Sequence, residues 1–131
     1  MTDRILIIEA DPPLRKGVAS ALTEAGFTVQ AVTGYAEAMM ILSDFKPGMV
    51  IMHEVLPDRD GIEACRDLHD TFDIPVILLG EGSGDEVWPK AVQAGADFYL
   101  TKPVSFVVLP VRVKAILRRY EKVHQNRRER P

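Results

Sequence analysis

Residues 4–26 read RILIIEADPPLRKGVASALTEAG, and this stretch decides the fold class. The unbroken apolar run Ile5–Ile8 is typical of a strand that is buried on both faces, because a half-buried strand alternates apolar and polar residues. Pro12 and Pro13 then suit the first turn of a helix, where a backbone N–H is not needed. That helix has one apolar face and ends at Gly26. The stretch is therefore predicted to be one β-α unit.

The same unit recurs along the rest of the chain. Strands are predicted at Arg4–Glu9, Thr28–Val32, Met49–His53, Pro75–Leu79 and Phe98–Thr101. Helices are predicted from Pro12 to Gly26, over Ile62–Thr71 and over Asp85–Ala94. A further helix, capped by Gly34 or Thr33, is predicted to end at Lys46, and a last helix, capped by Ser105, is predicted to run to about Tyr120. Five such units with short loops predict an α/β domain: a doubly wound, five-stranded parallel sheet with helices on both faces.

Composition places the chain among ordinary globular domains. It has 131 residues, of which 47% are apolar and 27% charged, which fits one domain with one core. Cys65 is the only cysteine and has no internal partner, so a cytoplasmic location is expected. No apolar run approaches the roughly 18 residues of a membrane span, and no membrane association is predicted.

The net charge of −3 is unevenly distributed. Residues 118–130 carry an excess of four positive charges, which leaves −7 on the rest of the chain. An acidic body argues against broad nucleic-acid binding by the domain itself. We therefore divide the chain into a domain over residues 1–120 and a basic helical extension or linker over residues 121–131.

Ligand sites in sheets of this type lie at the carboxyl ends of the strands, near the switch in strand order. The segments found there are Glu9-Ala10-Asp11, His53-Glu54, Gly80-Glu81 and Thr101-Lys102. Together with ILIIEADPPLR at the first strand, LPDRDG at residues 56–61 and AGADFYLTKP at residues 94–103 resemble the receiver domains of two-component response regulators. The resemblance covers nearly the whole chain. It implies the (βα)5 flavodoxin-like fold of the CheY-like superfamily.

The resemblance also assigns a slot to each pocket residue. The family's phosphoacceptor aspartate lies four residues before a proline; here that proline is Pro57, so the slot falls on His53. The other receiver-pocket positions fall on Glu9, Ala10, Asp11, Gly80 and Lys102, and the switch aromatic falls on Tyr99.

Three of these positions depart from the family pattern. Receiver chemistry needs a carboxylate nucleophile, Mg²⁺ held by carboxylates, and a hydroxyl and a lysine that contact the phosphoryl group. His53 is not a carboxylate, Ala10 has no metal ligand and Gly80 has no hydroxyl. Imidazole is a poor ligand for Mg²⁺. We therefore expect no catalytic residue, no metal and no cofactor, and a protein that is not an enzyme.

The remaining pocket residues are expected to take structural roles. Lys102 should pair with Glu9, or with Asp11 as second choice, because His53 offers no anion. Glu54 should face away from His53, since adjacent strand residues point to opposite faces. Tyr99 should be a surface residue, because Gly80 has no side chain to which it could couple.

The start of the last predicted helix is unusually apolar. In the run Phe106-Val107-Val108-Leu109 at least one side chain must be exposed, since a helix hides only a stripe. Val107 and Val108 are predicted to form an interface, for a protein partner or a weak homodimer, on the surface of the fourth and fifth helices and the fifth strand. Local burial is the alternative.

These expectations predict an atypical receiver module of two-component, phosphorelay signal transduction. It would act through contacts with a protein partner or a fused output domain, without phosphorylation on aspartate. The alternatives are a conventional phosphorylated receiver, a small-ligand or metal sensor in the emptied pocket, and a regulator that contacts nucleic acid only through an output domain absent from this chain.

Overall fold

The structure is a computed structural model that describes residues 3–81 and 87–129, with side chains described up to residue 123. The strands are β1 (Arg4–Ile8), β2 (Thr28–Val32), β3 (Met49–His53), β4 (Val76–Gly80) and β5 (Phe98–Thr101). The helices are α1 (Pro12–Glu24), α2 (Tyr35–Phe45), α3 (Gly61–Asp67), α4 (Val87–Gln93) and α5 (Val108–Glu129), with a π-helical turn at Leu68–Phe72 before β4.

The strands form one parallel sheet in the order β2-β1-β3-β4-β5. This confirms the predicted five-stranded doubly wound fold. The first strand, β1, is an interior strand of the sheet. β2 lies on one side of it, and β3, β4 and β5 follow on the other side. The direction of winding therefore switches between β1 and β3, which is where sheets of this type leave a crevice at the strand ends.

Side chains alternate between the two faces of the sheet and so build two cores. One core contains Ile5, Ile7, Met49, Ile51, Ile77 and Leu79, packed under α1 and α5. The other contains Leu6, Ile8, Val50, Met52, Val76 and Leu78, packed under α2, α3 and α4. Six residues of these two cores on the three interior strands are completely buried: Leu6, Ile7, Val50, Ile51, Ile77 and Leu78.

Two side-chain caps fix where helices begin beside the strand ends. Asp11 accepts a hydrogen bond from the Leu14 N–H at the start of α1, and Asp60 accepts from the first N–H groups of α3. Position 61 has no room for a side chain, because α3 begins against the end of β3: a methyl group on Gly61 would lie 2.3 Å from the carbonyl oxygen of His53. The Asp-Gly pair therefore fixes the distance between α3 and β3.

The helix predicted over Ile62–Thr71 is divided in the structure. Its second half is the π-helical turn, which ends at Asp73 in a left-handed conformation. This wider turn places the His69 ring against Gly95, where a methyl group would lie 2.3 Å from the ring. The helix predicted from Asp85 is described only from Val87 onward, and residues 85–86 lie outside the described residues.

The last helix is capped as predicted and runs further than predicted. The Ser105 hydroxyl oxygen accepts from the Val108 N–H, and the Ser105 carbonyl oxygen accepts from the Leu109 N–H. From Val108 the helix continues to Glu129 without a break, across the expected domain boundary at residue 120. The last two residues of the predicted extension, 130–131, lie outside the described residues. In the part of the chain that is described, no helix is both long enough and apolar enough to cross a bilayer.

Truncating a residue of the double-sided core should destabilise the fold. Ile51 is completely buried at the centre of the sheet, and Ile51→Ala should lower the free energy of unfolding by about 2–5 kcal/mol, because it removes apolar contacts and leaves a cavity. Met40 on α2 is 80% exposed, so Met40→Ala should change the free energy by less than about 0.5 kcal/mol. Urea denaturation followed by circular dichroism measures both, and similar losses would contradict the assignment of the core.

Candidate functional site

The strand ends carry two groups of polar side chains on opposite faces of the sheet. Because side chains alternate along each strand, one group lies on the face of the sheet that packs against α1 and α5. We call it the polar cluster, and its members are Glu9, His53, Glu81 and Lys102. The other group lies on the face covered by α2, α3 and α4. We call it the tyrosine cluster, and its members are Glu54, Gly80 and Tyr99.

Glu9 is the buried acid of the polar cluster, with only 2% of its surface exposed. Its Oε2 atom accepts a hydrogen bond of 3.0 Å from the Asp11 N–H, whereas Oε1 is buried and has no hydrogen-bond partner among the described residues. The guanidinium of Arg15 donates to the carbonyl oxygens of Glu9 and Ala10. Ala10 itself is exposed and contributes no side-chain ligand.

His53 ends β3 directly beside Glu9, because Met52 pairs with Ile8 in the parallel register. The Nδ1 atom of His53 lies 2.9 Å from the carbonyl oxygen of Val55. A carbonyl only accepts, so Nδ1 carries the proton and donates. The Nε2 atom is buried and has no hydrogen-bond partner within the described ranges. The ring is therefore held by a backbone contact in one orientation.

Lys102 pairs with Glu81, and the predicted pairing with Glu9 is wrong. Lys102 Nζ donates to Glu81 Oε1 at 2.9 Å. This hydrogen bond raises the pKa of Lys102 and lowers the pKa of Glu81. The strand order explains why Lys102 pairs with Glu81. Gly80 is the register partner of Thr101, so Glu81 and Lys102 follow neighbouring strands. Glu9 follows β1, which is separated from β5 by β3 and β4.

Tyr99 is a buried residue, and its expected place on the surface is also wrong. Only 9% of it is exposed, and it packs in the core under α2, α3 and α4. Its hydroxyl donates to Glu54 Oε2 at 3.0 Å. The absence of a side chain at Gly80, from which surface exposure was inferred, instead leaves room for the phenol: a methyl group on Gly80 would lie 1.9 Å from the Tyr99 hydroxyl oxygen.

Glu54 turns away from His53, as expected. Besides the Tyr99 hydroxyl, its carboxylate accepts from the Glu81 N–H at 3.2 Å. Both contacts lie toward β4 and β5, so His53 and Glu54 serve different clusters although they are neighbours in sequence. The bonds of Glu54 were not predicted, since its position on one face does not reveal which donors lie across the sheet.

The α5 start exposes apolar surface, as its composition requires. Val107 is 82% exposed and Val108 is half-exposed, whereas Leu109 is buried. Phe106 packs against α1, where a methyl group on Gly17 would lie 2.4 Å from its ring. Further exposed apolar residues that were not predicted are Trp88, Val92 and Val111. Trp88 and Val92 lie four residues apart on α4, and this spacing in the sequence would have identified the exposed apolar face of α4.

The described ranges contain no group of three or more His, Cys, Asp or Glu residues arranged to hold a metal ion. Glu9 and His53 each present one unpartnered atom, but no third side chain joins them in such a group. Cys65, the only cysteine, is buried, and burial raises the pKa of its thiol to about 12. It is therefore not positioned as a nucleophile.

The parallel sheet, its strand order and the polar residues at its carboxyl edge define a signalling domain of the receiver type. Residues 5–114 match the response regulator receiver domain family, and the chain belongs to this family. The solved receiver domain of RstA from Klebsiella pneumoniae, in a BeF3-activated form, has a TM-score of 0.81 and 28% identity, covering 88% of this chain and 98% of that one. A CheY-like receiver domain from Methanospirillum hungatei JF-1 has a TM-score of 0.84 at 24% identity, over 93% and 98% of the two chains, which shows likeness of fold alone.

Curated relatives are longer than this chain. The transcriptional regulatory protein AfsQ1 of Streptomyces coelicolor is 33% identical over 118 residues, which are 90% of this chain and 52% of the relative. The phosphate regulon transcriptional regulatory protein PhoB of Pseudomonas aeruginosa is 36% identical over 118 residues, which are 88% and 52% of the two sequences. The chain thus spans about half the length of the curated relatives it matches and corresponds to a two-component receiver domain.

Removing the Lys102 ammonium should raise the pKa of Glu81. The hydrogen bond and charge of Lys102 lower this pKa from its ordinary value of 4.5, so the pair stabilises the fold above that value and loses its contribution as the pH falls through the lowered pKa. In Lys102→Met the Glu81 carboxyl carbon, followed by NMR, should titrate closer to 4.5. Lys114→Met on α5 serves as the control and should leave the titration unchanged; an equal change in both variants would contradict the pairing.

Proposed function

We propose that this receiver domain passes on a signal through protein–protein contacts, is not phosphorylated on aspartate and performs no enzymatic chemistry of its own. One observation carries the proposal. The side chain at the end of β3, where the family resemblance places the phosphoacceptor, is the imidazole of His53, and a backbone carbonyl holds its Nδ1 atom. An imidazole in this place supplies neither the carboxylate that would accept the phosphoryl group nor a carboxylate ligand for Mg²⁺.

The other pocket positions support the same proposal. Phosphoryl transfer relies on positioning and on groups that neutralise the charge of the phosphoryl oxygens. Lys102 is already paired with Glu81, and Ala10 offers no metal ligand. Gly80 has no hydroxyl, and the Tyr99 phenol and the Glu54 carboxylate occupy the space that a side chain there would need. The carboxylate nucleophile, the hydroxyl and one carboxylate ligand are thus absent, and the lysine is engaged with Glu81.

We propose that contacts are made at the outer surface of α4, β5 and the start of α5, including Val107 and Val108. These valines are exposed, and Trp88, Val92 and Val111 add further exposed apolar surface on α4 and α5. Burying apolar surface contributes about 25 cal/mol per Å², so two valines contribute a few kcal/mol, which suits a weak dimer or a transient partner rather than an obligate one.

The setting of the domain is part of the proposal. The relatives AfsQ1 and PhoB are named as transcriptional regulatory proteins, and the chain matches about half of each. We place the domain in the cytoplasm, working with a protein partner or a fused output domain. Any contact with nucleic acid would then be made by that output domain, because the receiver body is acidic.

The phosphorylation half of the proposal is tested by acetyl phosphate and Mg²⁺. The protein should form no acid-labile, hydroxylamine-sensitive adduct by mass spectrometry, and calorimetry should detect no Mg²⁺ binding at millimolar concentration, because positions 10 and 53 supply no carboxylate. The variant Ala10→Asp/His53→Asp supplies both carboxylates and should gain Mg²⁺ binding. An adduct on the unaltered protein would establish a conventional receiver instead.

The contact half is tested by charge at the start of α5. Val107→Glu/Val108→Glu should weaken self-association or partner binding in analytical ultracentrifugation, because two carboxylates replace apolar contact surface. The melting temperature should stay nearly unchanged, since both valines are exposed. Met40→Glu, at an exposed position on α2, is the control and should leave association unaffected. Unfolding of the double variant would show that the valines belong to the core and remove the support for this surface.

A further inference from the structure

We infer that Glu54 is a permanent latch for Tyr99. Its carboxylate and the space left open by Gly80 together hold the tyrosine inside the domain, so the surface beside α4 keeps one conformation. This inference deepens the proposed function and rests on it, because a side chain fixed in one position suits a domain that phosphorylation does not switch. Glu54 acts as a positioning residue, through Tyr99.

Space is the first part of the latch. The Tyr99 hydroxyl lies where a side chain of residue 80 would be: a methyl group there would lie 1.9 Å from the hydroxyl oxygen, 2.5 Å from the ring carbon that bears it and 2.8 Å from Cδ of Glu54. Contacts this short are repulsive, so a side chain at position 80 would displace the tip of the tyrosine. An inward Tyr99 therefore requires glycine at position 80.

Hydrogen bonding is the second part. A buried phenol needs an acceptor, because its hydroxyl gives up water on entering the core. Glu54 Oε2 supplies that acceptor at 3.0 Å, and a bond to an ionised carboxylate is stronger than one between neutral groups. The second carboxylate oxygen accepts from the Glu81 N–H, so the orientation of the Glu54 side chain is itself restrained.

The latch lies on the opposite face of the sheet from the polar cluster and meets that cluster at Glu81, whose backbone N–H donates to the Glu54 carboxylate. The backbone of Glu54 is anchored on both sides, since its N–H donates to the Leu79 carbonyl and its own carbonyl accepts from the Gly61 N–H, each at 2.8 Å. Its side chain lies on the opposite face from His53. Glu81 contacts Glu54 through its backbone N–H and Lys102 through its side chain, so Lys102 and Tyr99 do not compete for one carboxylate.

Trp88 gives the latch a built-in reporter. It is the only tryptophan in the chain, it is 41% exposed, and its ring centroid lies 6.1 Å from that of Tyr99 at an interplanar angle of 46°. Movement of the Tyr99 ring therefore changes what covers the Trp88 indole. Emission of Trp88 and its quenching by acrylamide report that movement without a label.

The test compares variants that remove the latch in different ways. Gly80→Ala fills the space and Glu54→Ala removes the acceptor, and both should shift the emission of Trp88 and increase its quenching. Glu54→Gln keeps one acceptor oxygen and should give an intermediate signal. Tyr99→Leu provides the reference spectrum without a ring beside Trp88. Wild-type emission and quenching in either alanine variant, with the fold intact by circular dichroism, would overturn the inference.

A milder change covers the case in which an alanine variant fails to fold. Tyr99→Phe removes only the hydroxyl and should shift the emission of Trp88 and increase its quenching, with no further change when Glu54→Gln is added, because both substitutions act on one interaction. Additive effects would overturn the latch. Acetyl phosphate with Mg²⁺ separates the two proposals: an adduct on the wild-type protein refutes the proposed function, whereas the latch stands or falls on the response of Trp88 to Glu54→Ala.

Discussion

The parallel register of five strands, of which β1, β3 and β4 are buried on both faces, is the constraint on which the other features depend. It brings all carboxyl ends to one edge, and alternation assigns each residue there to one face or the other. His53 and Glu54 are adjacent in the chain yet belong to separate clusters for this reason. A shift of register by one residue would exchange the clusters and turn the apolar rows away from their helices.

Charge at this edge is compensated locally. Lys102 and Glu81 are the closest opposite charges across the gap between β4 and β5, and both remain partly exposed. Such a pair contributes little to stability, because water screens it and two long side chains must be ordered. Its consequence is mainly positional, since the ammonium is held against the Glu81 carboxylate at the end of β4. The buried Glu9 relies instead on the Asp11 N–H for one oxygen.

The sequence predicted the fold well, because apolar runs such as Ile5–Ile8 and Pro75–Leu79 are typical of strands buried on both faces. It also predicted which residues reach the carboxyl edge. Partners across the edge were not predictable, as Lys102 shows: alternation gives a face, whereas strand order selects the neighbour, and that order is a property of the whole sheet. Tyr99 was misplaced because a missing side chain was treated as a missing interaction, although the space at Gly80 admits the phenol.

Because helix α5 is unbroken, it fixes both the direction and the rotational orientation of anything attached rigidly to its end. Its 22 residues extend for about 33 Å at 1.5 Å per residue, with its first half packed on the sheet. Each residue turns the helix by about 100°, since 3.6 residues complete a turn. Anything attached rigidly to the far end is thus oriented by the packing of Leu109, Val113 and Ile116. Adding one residue to α5 would rotate the attached body by more than a quarter turn, whereas adding seven would nearly restore its orientation.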